Sequence, residues 1–209
     1  MDSRTALIVI DMQGGFLSPE SAQYIDGAAA TVPACAEVIR NCRERGIPVF
    51  FVIRAYRADG SDVEHTRFES WLRGGKALSP GCAPEIDGRM PESFGPEAGD
   101  YVLYKPRFSA FFQTELDLML RRLRRDTVLL AGTTTPNCIR TTAYDALSLE
   151  YNVAVLSDCT SSINDAVQAA NLSDMARVGV QILSSADFIG GTPLDDCAGR
   201  VQDAVRNGV

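Results

Sequence analysis

Residues 129–146 of this chain read Leu-Leu-Ala-Gly-Thr-Thr-Thr-Pro-Asn-Cys-Ile-Arg-Thr-Thr-Ala-Tyr-Asp-Ala. The apolar run over residues 128–131 predicts a buried strand, and Gly132 with the three threonines after it predicts a tight loop. From Thr135 onward the pattern predicts a helix. A strand, a short loop and a helix in that order form the repeating unit of an α/β protein with a parallel sheet.

Cys138 lies near the predicted start of that helix. Thr135 suits the N-cap position and Pro136 the first helical position, so Cys138 is expected in the first turn. The partial positive charge at a helix N-terminus lowers the pKa of a thiol and favours the thiolate, which is the nucleophile. This stretch therefore predicts a reactive cysteine.

The alternation of strands and helices continues along the chain. Strands are predicted over residues 5–10, 48–53, 101–104, 127–131, 153–156 and 180–183. Helices are predicted over residues 27–45, 64–73, 110–124, 136–149, 164–178 and 195–206. Residues 74–99 are rich in Gly and Pro and predict an irregular excursion over the surface or the site. We therefore expect one domain over residues 1–209, a Rossmann-like three-layer α/β/α sandwich with a six-stranded, mainly parallel sheet.

The composition argues against several classes of function. The 209 residues carry a formal net charge of −7 and contain no tract rich in Lys and Arg, which argues against a nucleic-acid partner. No apolar run approaches the roughly 18 residues of a membrane span. The N-terminus enters a predicted strand directly, so we expect a cytoplasmic protein that does not associate with a membrane.

Cysteine and histidine usage argues against a metal centre. The six cysteines are scattered without a Cys-x-x-Cys pair, which in a cytosolic protein is typical of small buried apolar residues. His65 is the single histidine. Catalytic zinc usually takes several histidines, or thiolates at short spacing, so neither a metal nor another cofactor is expected.

Three reactive residue types stand at the ends of separate predicted strands. Asp11 follows the first strand, Lys105 the third, and Cys138 the loop after the fourth. In open parallel sheets, ligands bind beyond the carboxyl ends of the strands. Taken singly, the aspartate suits a turn, the lysine a solvated strand end and the cysteine a buried core position. Together they favour a nucleophilic site with a thiolate, a carboxylate that exchanges the proton, and a fixed positive charge.

Three motifs around these residues occur in a recognisable order. They are residues 9–16 (Val-Ile-Asp-Met-Gln-Gly-Gly-Phe), residues 105–111 (Lys-Pro-Arg-Phe-Ser-Ala-Phe) and the stretch 131–146 that contains Cys138. With them the chain resembles the isochorismatase-like cysteine hydrolases, a group that includes nicotinamidases, N-carbamoylsarcosine amidohydrolases, biuret hydrolases and maleamate amidohydrolases. The resemblance runs from residue 5 to about residue 185. These motifs are specific for the superfamily and carry little information about the substrate.

The resemblance implies a catalytic triad of Asp11, Lys105 and Cys138. It implies thiolate attack on the carbonyl of a small amide, ureido or carbamoyl compound, cleavage of the C–N bond, and hydrolysis of the resulting thioester. It also implies a cis peptide at Thr133–Thr134 that turns the Thr134 N–H inward, where it forms an oxyanion hole with the Cys138 N–H. Members commonly form homodimers or homotetramers. The alternative is a non-catalytic member that binds a small metabolite or a partner protein.

Two comparisons within this group narrow the activity. Loss of the cysteine is associated with vinyl ether hydrolysis of isochorismate, so the presence of Cys138 favours an amidase. Nicotinamidases carry an Asp-x-His motif after the second strand and a further histidine, and these residues bind a metal. Residues 53–65 contain a single histidine, His65, which cannot supply the ligands of that metal site. Nicotinamide is therefore not expected as the substrate.

The stretch after the second strand offers arginines instead. An arginine at a strand end can bind a carboxylate through two hydrogen bonds. Arg54 and Arg57 therefore lead to the hypothesis of a small-molecule substrate that bears a carboxylate. The alternative is that both arginines pair on the surface with Asp59, Asp62 or Glu64.

Three aromatic residues are candidates for the lining of an apolar pocket. They are Phe16, Trp71 and Phe108, and Trp71 with the Gly- and Pro-rich stretch after it is a candidate lid. Ordinary core packing is the alternative for the two phenylalanines, and packing at an interface is the alternative for the tryptophan.

Overall fold

A computed structural model describes residues 2–80, 82 and 88–208 of the chain. Its strands are β1 (Thr5–Ile10), β2 (Val49–Arg54), β3 (Tyr101–Lys105), β4 (Thr127–Thr133), β5 (Asn152–Ser161) and β6 (Gln181–Leu183). They form one sheet in the order β3-β2-β1-β4-β5-β6, and every neighbouring pair is parallel. All six predicted strands are present, and the sheet is wholly rather than mainly parallel.

Helices pack on both faces of this sheet. They are α1 (Gly14–Leu17), α2 (Val32–Glu44), α3 (Phe68–Arg73), α4 (Leu116–Arg122), α5 (Arg140–Ser148), α6 (Asp165–Arg177), α7 (Ser185–Ile189) and α8 (Cys197–Arg206). Short 3-10 turns, Ala29–Thr31 and His65–Arg67, precede α2 and α3. Among the described residues, no helix has the length and apolar character needed to cross a membrane.

Two apolar cores lie on opposite faces of the sheet, because successive side chains of a strand point to opposite sides. Ala6, Ile8 and Ile10 of β1 belong to the core shared with α4, α5 and α6. Leu7 and Val9 belong to the core shared with α2 and α7. Every residue of β1 is therefore buried, which explains why this strand is a continuous apolar run. The predicted three-layer sandwich is confirmed.

Several boundaries differ from those expected. Strand β5 extends to Ser161, so Asp158 lies within it, where its carboxylate accepts hydrogen bonds from the backbone N–H and hydroxyl of Ser185. Helix α4 begins six residues later than predicted, at Leu116 instead of residue 110. The backbone N–H of Ala110 donates to the Thr142 hydroxyl of α5 at 2.9 Å, which holds this part of the chain in a non-helical conformation. Helix α2 also begins later than predicted, and the short helices α1 and α7 were not predicted.

The predicted irregular stretch over residues 74–99 falls partly outside the described residues, since 81 and 83–87 are not described. The described remainder contains turns and extended chain without helix or strand. Ala77 and Leu78 pack against Trp71 in a small third apolar cluster, beyond the carboxyl end of β2.

Gly132 lets β4 lie against the end of β1. Its φ is +119°, a backbone conformation that residues with a side chain rarely adopt. A Cβ at this position would stand 2.0 Å from the carbonyl oxygen of Ile10. Ile10 directly precedes Asp11, and Gly132 directly precedes Thr133, so this close approach sets the spacing of two segments that carry candidate site residues.

Gly132→Ala is expected to lower the free energy of unfolding by about 4 kcal/mol or more, the range of overpacked and strained core positions. Gly179→Ala is the matched control, because Gly179 has a φ of +98° and nothing within 4 Å of its Cβ position. Backbone strain alone should cost about 1–3 kcal/mol there. Chemical denaturation of both variants measures the difference, and equal losses would show that contact with Ile10 is not what requires glycine.

Candidate active site

A buried ion pair joins the ends of β1 and β3. Lys105 Nζ donates a hydrogen bond to Asp11 Oδ2 at 2.8 Å, and both side chains are 0% exposed. Strand β2 lies between β1 and β3, so the lysine side chain crosses a strand to reach the carboxylate. Nζ also donates to the carbonyl oxygen of Arg107 at 3.1 Å. The two residues predicted from separate strand ends are thus in direct contact.

One oxygen of the Asp11 carboxylate has no such partner. Asp11 Oδ1 is buried and accepts no hydrogen bond from any residue that the structure describes. The backbone of Asp11 is held on both sides, because its N–H donates to Val52 and its carbonyl accepts from Gln13, each at 2.9 Å. The carboxylate is therefore oriented by its backbone and by Lys105, with Oδ1 available to accept a proton.

Cys138 lies in a π-helical turn, Thr135–Ile139, that precedes α5. The prediction of a regular helix from residue 136 is wrong for this turn, and Thr135 is not its N-cap. The Thr135 hydroxyl donates instead to the carbonyl oxygen of Ser161 at 3.0 Å, which ties the turn to β5. The carbonyl oxygen of Cys138 accepts from the Thr142 hydroxyl at 2.6 Å. Cys138 itself is only 4% exposed.

The pKa of the Cys138 thiol is raised to about 11, first because the thiol is buried and then because the Asp11 carboxylate lies close to it. The positive charges of Lys105 and Arg54 lower this pKa without offsetting the rise. The expectation that a helix N-terminus would lower the pKa is therefore wrong. At neutral pH Cys138 is therefore a thiol, and nucleophilic attack requires that its proton be transferred.

The peptide bond between Thr133 and Thr134 is cis. The hydroxyl of Thr133 accepts a hydrogen bond from the Ser161 hydroxyl at 2.9 Å. The hydroxyl of Thr134 is buried and has no partner among the described residues. An oxyanion hole built from the backbone N–H groups of Thr134 and Cys138 stays a prediction.

Arg54 is buried close to the ion pair. It stands opposite Lys105 in the register of β2 and β3, so the two side chains leave the sheet on the same face. The residue is 2% exposed, and its Nη2 contacts both the Tyr56 hydroxyl and the Glu64 carboxylate. Arg54 thus pairs with Glu64, as the alternative expected, but inside the protein rather than on the surface.

Arg57 lies at the surface. Its side chain is 69% exposed, and its Nε is 3.5 Å from Asp59 Oδ1. Its backbone N–H donates to Asp62 at 2.8 Å. Arg57 therefore pairs at the surface, as the alternative interpretation expected. The exposed position of its side chain does not support the predicted contact with substrate.

The three predicted pocket aromatics occupy two environments. Phe16 and Trp71 are buried in the same small apolar cluster as Tyr56. Trp71 Nε1 donates to the carbonyl oxygen of Ala77 at 2.9 Å, which fixes the indole in that cluster. Phe108 is partly buried against the larger core, and the guanidinium carbon of Arg54 is 5.0 Å from its ring centre. Phe108 therefore borders Arg54 directly, whereas Tyr56 links the other cluster to it.

Gln13 is a site residue that was not predicted. Its side-chain amide accepts a hydrogen bond from the Arg54 backbone N–H at 2.8 Å and donates one to the Arg54 carbonyl at 3.1 Å. The amide thus continues the pairing of β1 with β2 beyond the last strand residue and sets Arg54 relative to Asp11. The signal for it was its place in the motif over residues 9–16.

Two cavities approach this cluster from different sides. One of about 360 Å³ is lined by Gln13 and Arg54. Another of about 380 Å³ is lined by Glu64 and Phe108. Cys138 does not line either of these two cavities.

The end of β2 carries no histidine or acidic ligand pair. Arg54 and Tyr56 stand there, and His65 is exposed. Among the described residues, no group of three or more His, Cys, Asp or Glu side chains is placed to hold a metal ion. The donor set at this position is that of an anion-binding rather than a cation-binding group.

The fold and this cluster together define an α/β protein with a thiol, a carboxylate and an ammonium group at the carboxyl ends of its strands. The chain belongs to the isochorismatase family, because the family model named isochorismatase domain matches residues 5–187. A crystal structure of an isochorismatase family protein from Desulfovibrio vulgaris has a TM-score of 0.83 to this structure at 39% sequence identity. The match covers 88% of this chain and 96% of that one.

Two relatives of the chain differ in whether their names describe an active enzyme. One is a probable inactive nicotinamidase of Arabidopsis thaliana, 37% identical over 181 residues, which cover 85% of this chain and 90% of the relative. The other is a maleamate amidohydrolase of Pseudomonas putida, 30% identical over 176 residues, which cover 82% of this chain and 79% of the relative. Family membership is thus compatible with both an active and an inactive protein.

Asp11→Asn is expected to accelerate the alkylation of Cys138 by iodoacetamide at pH 7. Removing the carboxylate charge lowers the thiol pKa while the positive charges of Lys105 and Arg54 remain. A fall of one pKa unit raises the thiolate fraction, and with it the rate, about tenfold. Mass spectrometry of the peptide that contains Cys138 measures the rate, with the exposed Cys197 as internal reference.

The pH dependence of alkylation in the wild-type protein is a second test of the raised pKa of the Cys138 thiol. Its Cys138 alkylation rate should rise with pH up to about 11, since the thiolate is the reactive form. Asp59→Asn, which alters an exposed carboxylate, should leave the rate unchanged. An unchanged or slower rate in Asp11→Asn would show that Asp11 is not the anionic neighbour of the thiol.

Proposed function

We propose that this protein hydrolyses the C–N bond of a small amide through a thioester on Cys138. The observation that carries the proposal is the Asp11 carboxylate, which raises the pKa of the Cys138 thiol and is held at Oδ2 by Lys105, while its Oδ1 is buried and unpartnered among the described residues. A carboxylate so placed serves as general base and then as general acid. Membership of the isochorismatase family and the similarity to an amidohydrolase support the reaction type.

In the first half-reaction, Asp11 accepts the thiol proton as Sγ of Cys138 attacks the carbonyl carbon. A buried thiol with a raised pKa carries little thiolate at neutral pH, so the base must act during the attack. The C–N bond then breaks, and Asp11 transfers the proton to the leaving nitrogen. Ammonia or an amine departs, and the acyl group remains on Cys138 as a thioester.

In the second half-reaction, water attacks the thioester while Asp11 accepts a proton from it. The C–S bond breaks, the carboxylic acid leaves, and the proton returns to Sγ of Cys138. The sum is one amide and one water converted into one acid and one ammonia or amine. The Lys105 ammonium holds the carboxylate in place, and the backbone N–H groups of Thr134 and Cys138 are the proposed donors to the oxyanion.

A non-catalytic member of the family is the second candidate. Two observations favour it: the 37% identity to a probable inactive nicotinamidase and the near-complete burial of Cys138. Such a protein binds a small metabolite or a partner protein and forms no thioester. Turnover therefore separates the two candidates.

An ammonia-release screen over primary amides, N-carbamoyl amino acids and ureido acids should show turnover by the wild-type protein. Cys138→Ser should lower the rate about 10⁴-fold or more, as expected for removal of a nucleophile. Asp11→Asn should also lose turnover, although its thiol is expected to alkylate faster. Lost turnover together with faster alkylation in the same variant is the result expected when Asp11 transfers the proton.

The outcomes of the screen are distinct. Ammonia release that persists in Cys138→Ser contradicts the mechanism, whereas an increase in protein mass by the acyl fragment during turnover supports it. A compound that protects Cys138 from alkylation without being hydrolysed supports the non-catalytic candidate. Dialysis against a chelator should leave the rate unchanged, and a loss restored by a divalent metal contradicts a metal-independent route.

A further inference from the structure

Arg54 is a buried cation at the border of the proposed site. It stands opposite Lys105 in the strand register and is 2% exposed. Its guanidinium carbon is 5.0 Å from the ring centre of Tyr56 and 5.0 Å from that of Phe108. Its positive charge acts on the Cys138 thiol, which places the guanidinium in the same electrostatic environment as the nucleophile.

The Glu64 carboxylate occupies the groups that Arg54 and Tyr56 present. Arg54 Nη2 contacts Glu64 Oε1, and the Tyr56 hydroxyl donates to Glu64 Oε2 at 2.7 Å. Burial opposes the ionisation of Glu64, but the Tyr56 hydroxyl and the Arg54 charge outweigh it and lower the pKa of Glu64. A guanidinium and a phenol that converge on one carboxylate are the arrangement expected in a carboxylate-binding subsite.

Glu64 does not satisfy the whole guanidinium. Arg54 Nε is buried without a partner among the described residues, and the Tyr56 and Glu64 contacts both fall on Nη2. A buried donor without a hydrogen-bond acceptor is destabilising. A free carboxylate is not constrained by the chain, so it can approach Nε and Nη2 together in the two-bond geometry that arginine favours.

Glu64 also lines the second of the two cavities. This cavity of about 380 Å³ is lined by Phe108 and Thr141 as well. Phe108 is the ring on which Arg54 packs, and the Thr141 hydroxyl lies 3.4 Å from the carbonyl oxygen of Cys138. The cavity that Glu64 lines is therefore bordered by residues that contact Arg54 and the Cys138 backbone.

We propose that Arg54 and Tyr56 form the subsite for a carboxylate of the substrate, and that Glu64 occupies this subsite until substrate displaces it. The substrate class is then a small amide that carries a carboxylate. That the ligand is a substrate rests on the proposed function. Glu64 acts as an internal competitor, which keeps the site closed and its charges balanced in the absence of an anion.

A purely structural ion pair is the alternative explanation. In that case Glu64 anchors the segment before α3, and its removal loosens the segment for every small molecule. Neutral and anionic compounds would then gain access to Cys138 equally. The two explanations therefore differ in selectivity for charge.

Iodoacetate and iodoacetamide alkylate the same thiol and differ in the carboxylate that iodoacetate carries. The ratio of their rates at Cys138, normalised to the exposed Cys197, reports the preference of the site for a carboxylate. Glu64→Gln is expected to raise this ratio about tenfold, because Arg54 loses its internal partner. Adding Arg54→Met to that variant should return the ratio to about its wild-type value.

Glu97→Gln is the matched control, because it removes a carboxylate from an exposed pair with Arg43 and should leave the ratio unchanged. An equal rise for both reagents overturns the proposal. An effect of Glu64→Gln that has the same size in an Arg54→Met background also overturns it, since the coupling must run through the arginine. Thermal melting verifies that each variant is folded.

The wild-type protein provides a test that does not depend on folding of a variant. Propionate and nitroethane have the same shape, but nitroethane is uncharged at neutral pH and has no amide bond to cleave. Propionate should protect Cys138 from iodoacetamide at about tenfold lower concentration than nitroethane. Equal protection, or stronger protection by nitroethane, overturns the subsite.

These measurements need no turnover, so the two proposals fail separately. Charge-selective alkylation in a protein that releases no ammonia supports the subsite and contradicts the amidase. Ammonia release together with unselective alkylation of Cys138 supports the amidase and contradicts the subsite.

Discussion

The buried contact between Lys105 and Asp11 is the interaction on which the rest of the site depends. Two opposite charges with no exposed surface lose their hydration, and removal of one partner from such a pair typically costs about 3–5 kcal/mol. The fold meets this requirement by placing the two residues at the ends of β1 and β3 and letting the lysine cross β2. The same contact occupies one carboxylate oxygen and leaves the other without a hydrogen-bond partner among the described residues.

Burial then decides the chemistry of the cysteine. The raised thiol pKa means that a positioned base must act during attack, because little preformed thiolate is present at neutral pH. Burial also explains the neighbouring Arg54–Glu64 pair, because a buried guanidinium requires an anionic partner. Charges from both ion pairs act on the Cys138 thiol, since Asp11 raises its pKa while Lys105 and Arg54 lower it.

The strands were predictable because each is a short apolar run, and strands buried on both faces need no alternation of polar residues. Asp11, Lys105 and Cys138 were predictable as candidates because the carboxyl ends of parallel strands meet at one edge of a sheet. The start of α4 was not predictable, because the Ala110 N–H donates to the hydroxyl of Thr142, which lies in a helix later in the sequence. The sequence pattern likewise does not distinguish the exposed Arg57 from the buried Arg54.

The fold class, the family resemblance and the three reactive residue types could be read from the amino-acid pattern, because local apolar runs and short motifs carry that information. The raised pKa of the buried thiol, the unpartnered oxygen of Asp11 and the contact of Glu64 with Arg54 became apparent only in the folded chain. These features depend on residues that are far apart in the sequence. The Lys105–Asp11 contact joins residues 94 positions apart, and desolvation of both charges arises only when the surrounding layers pack around them.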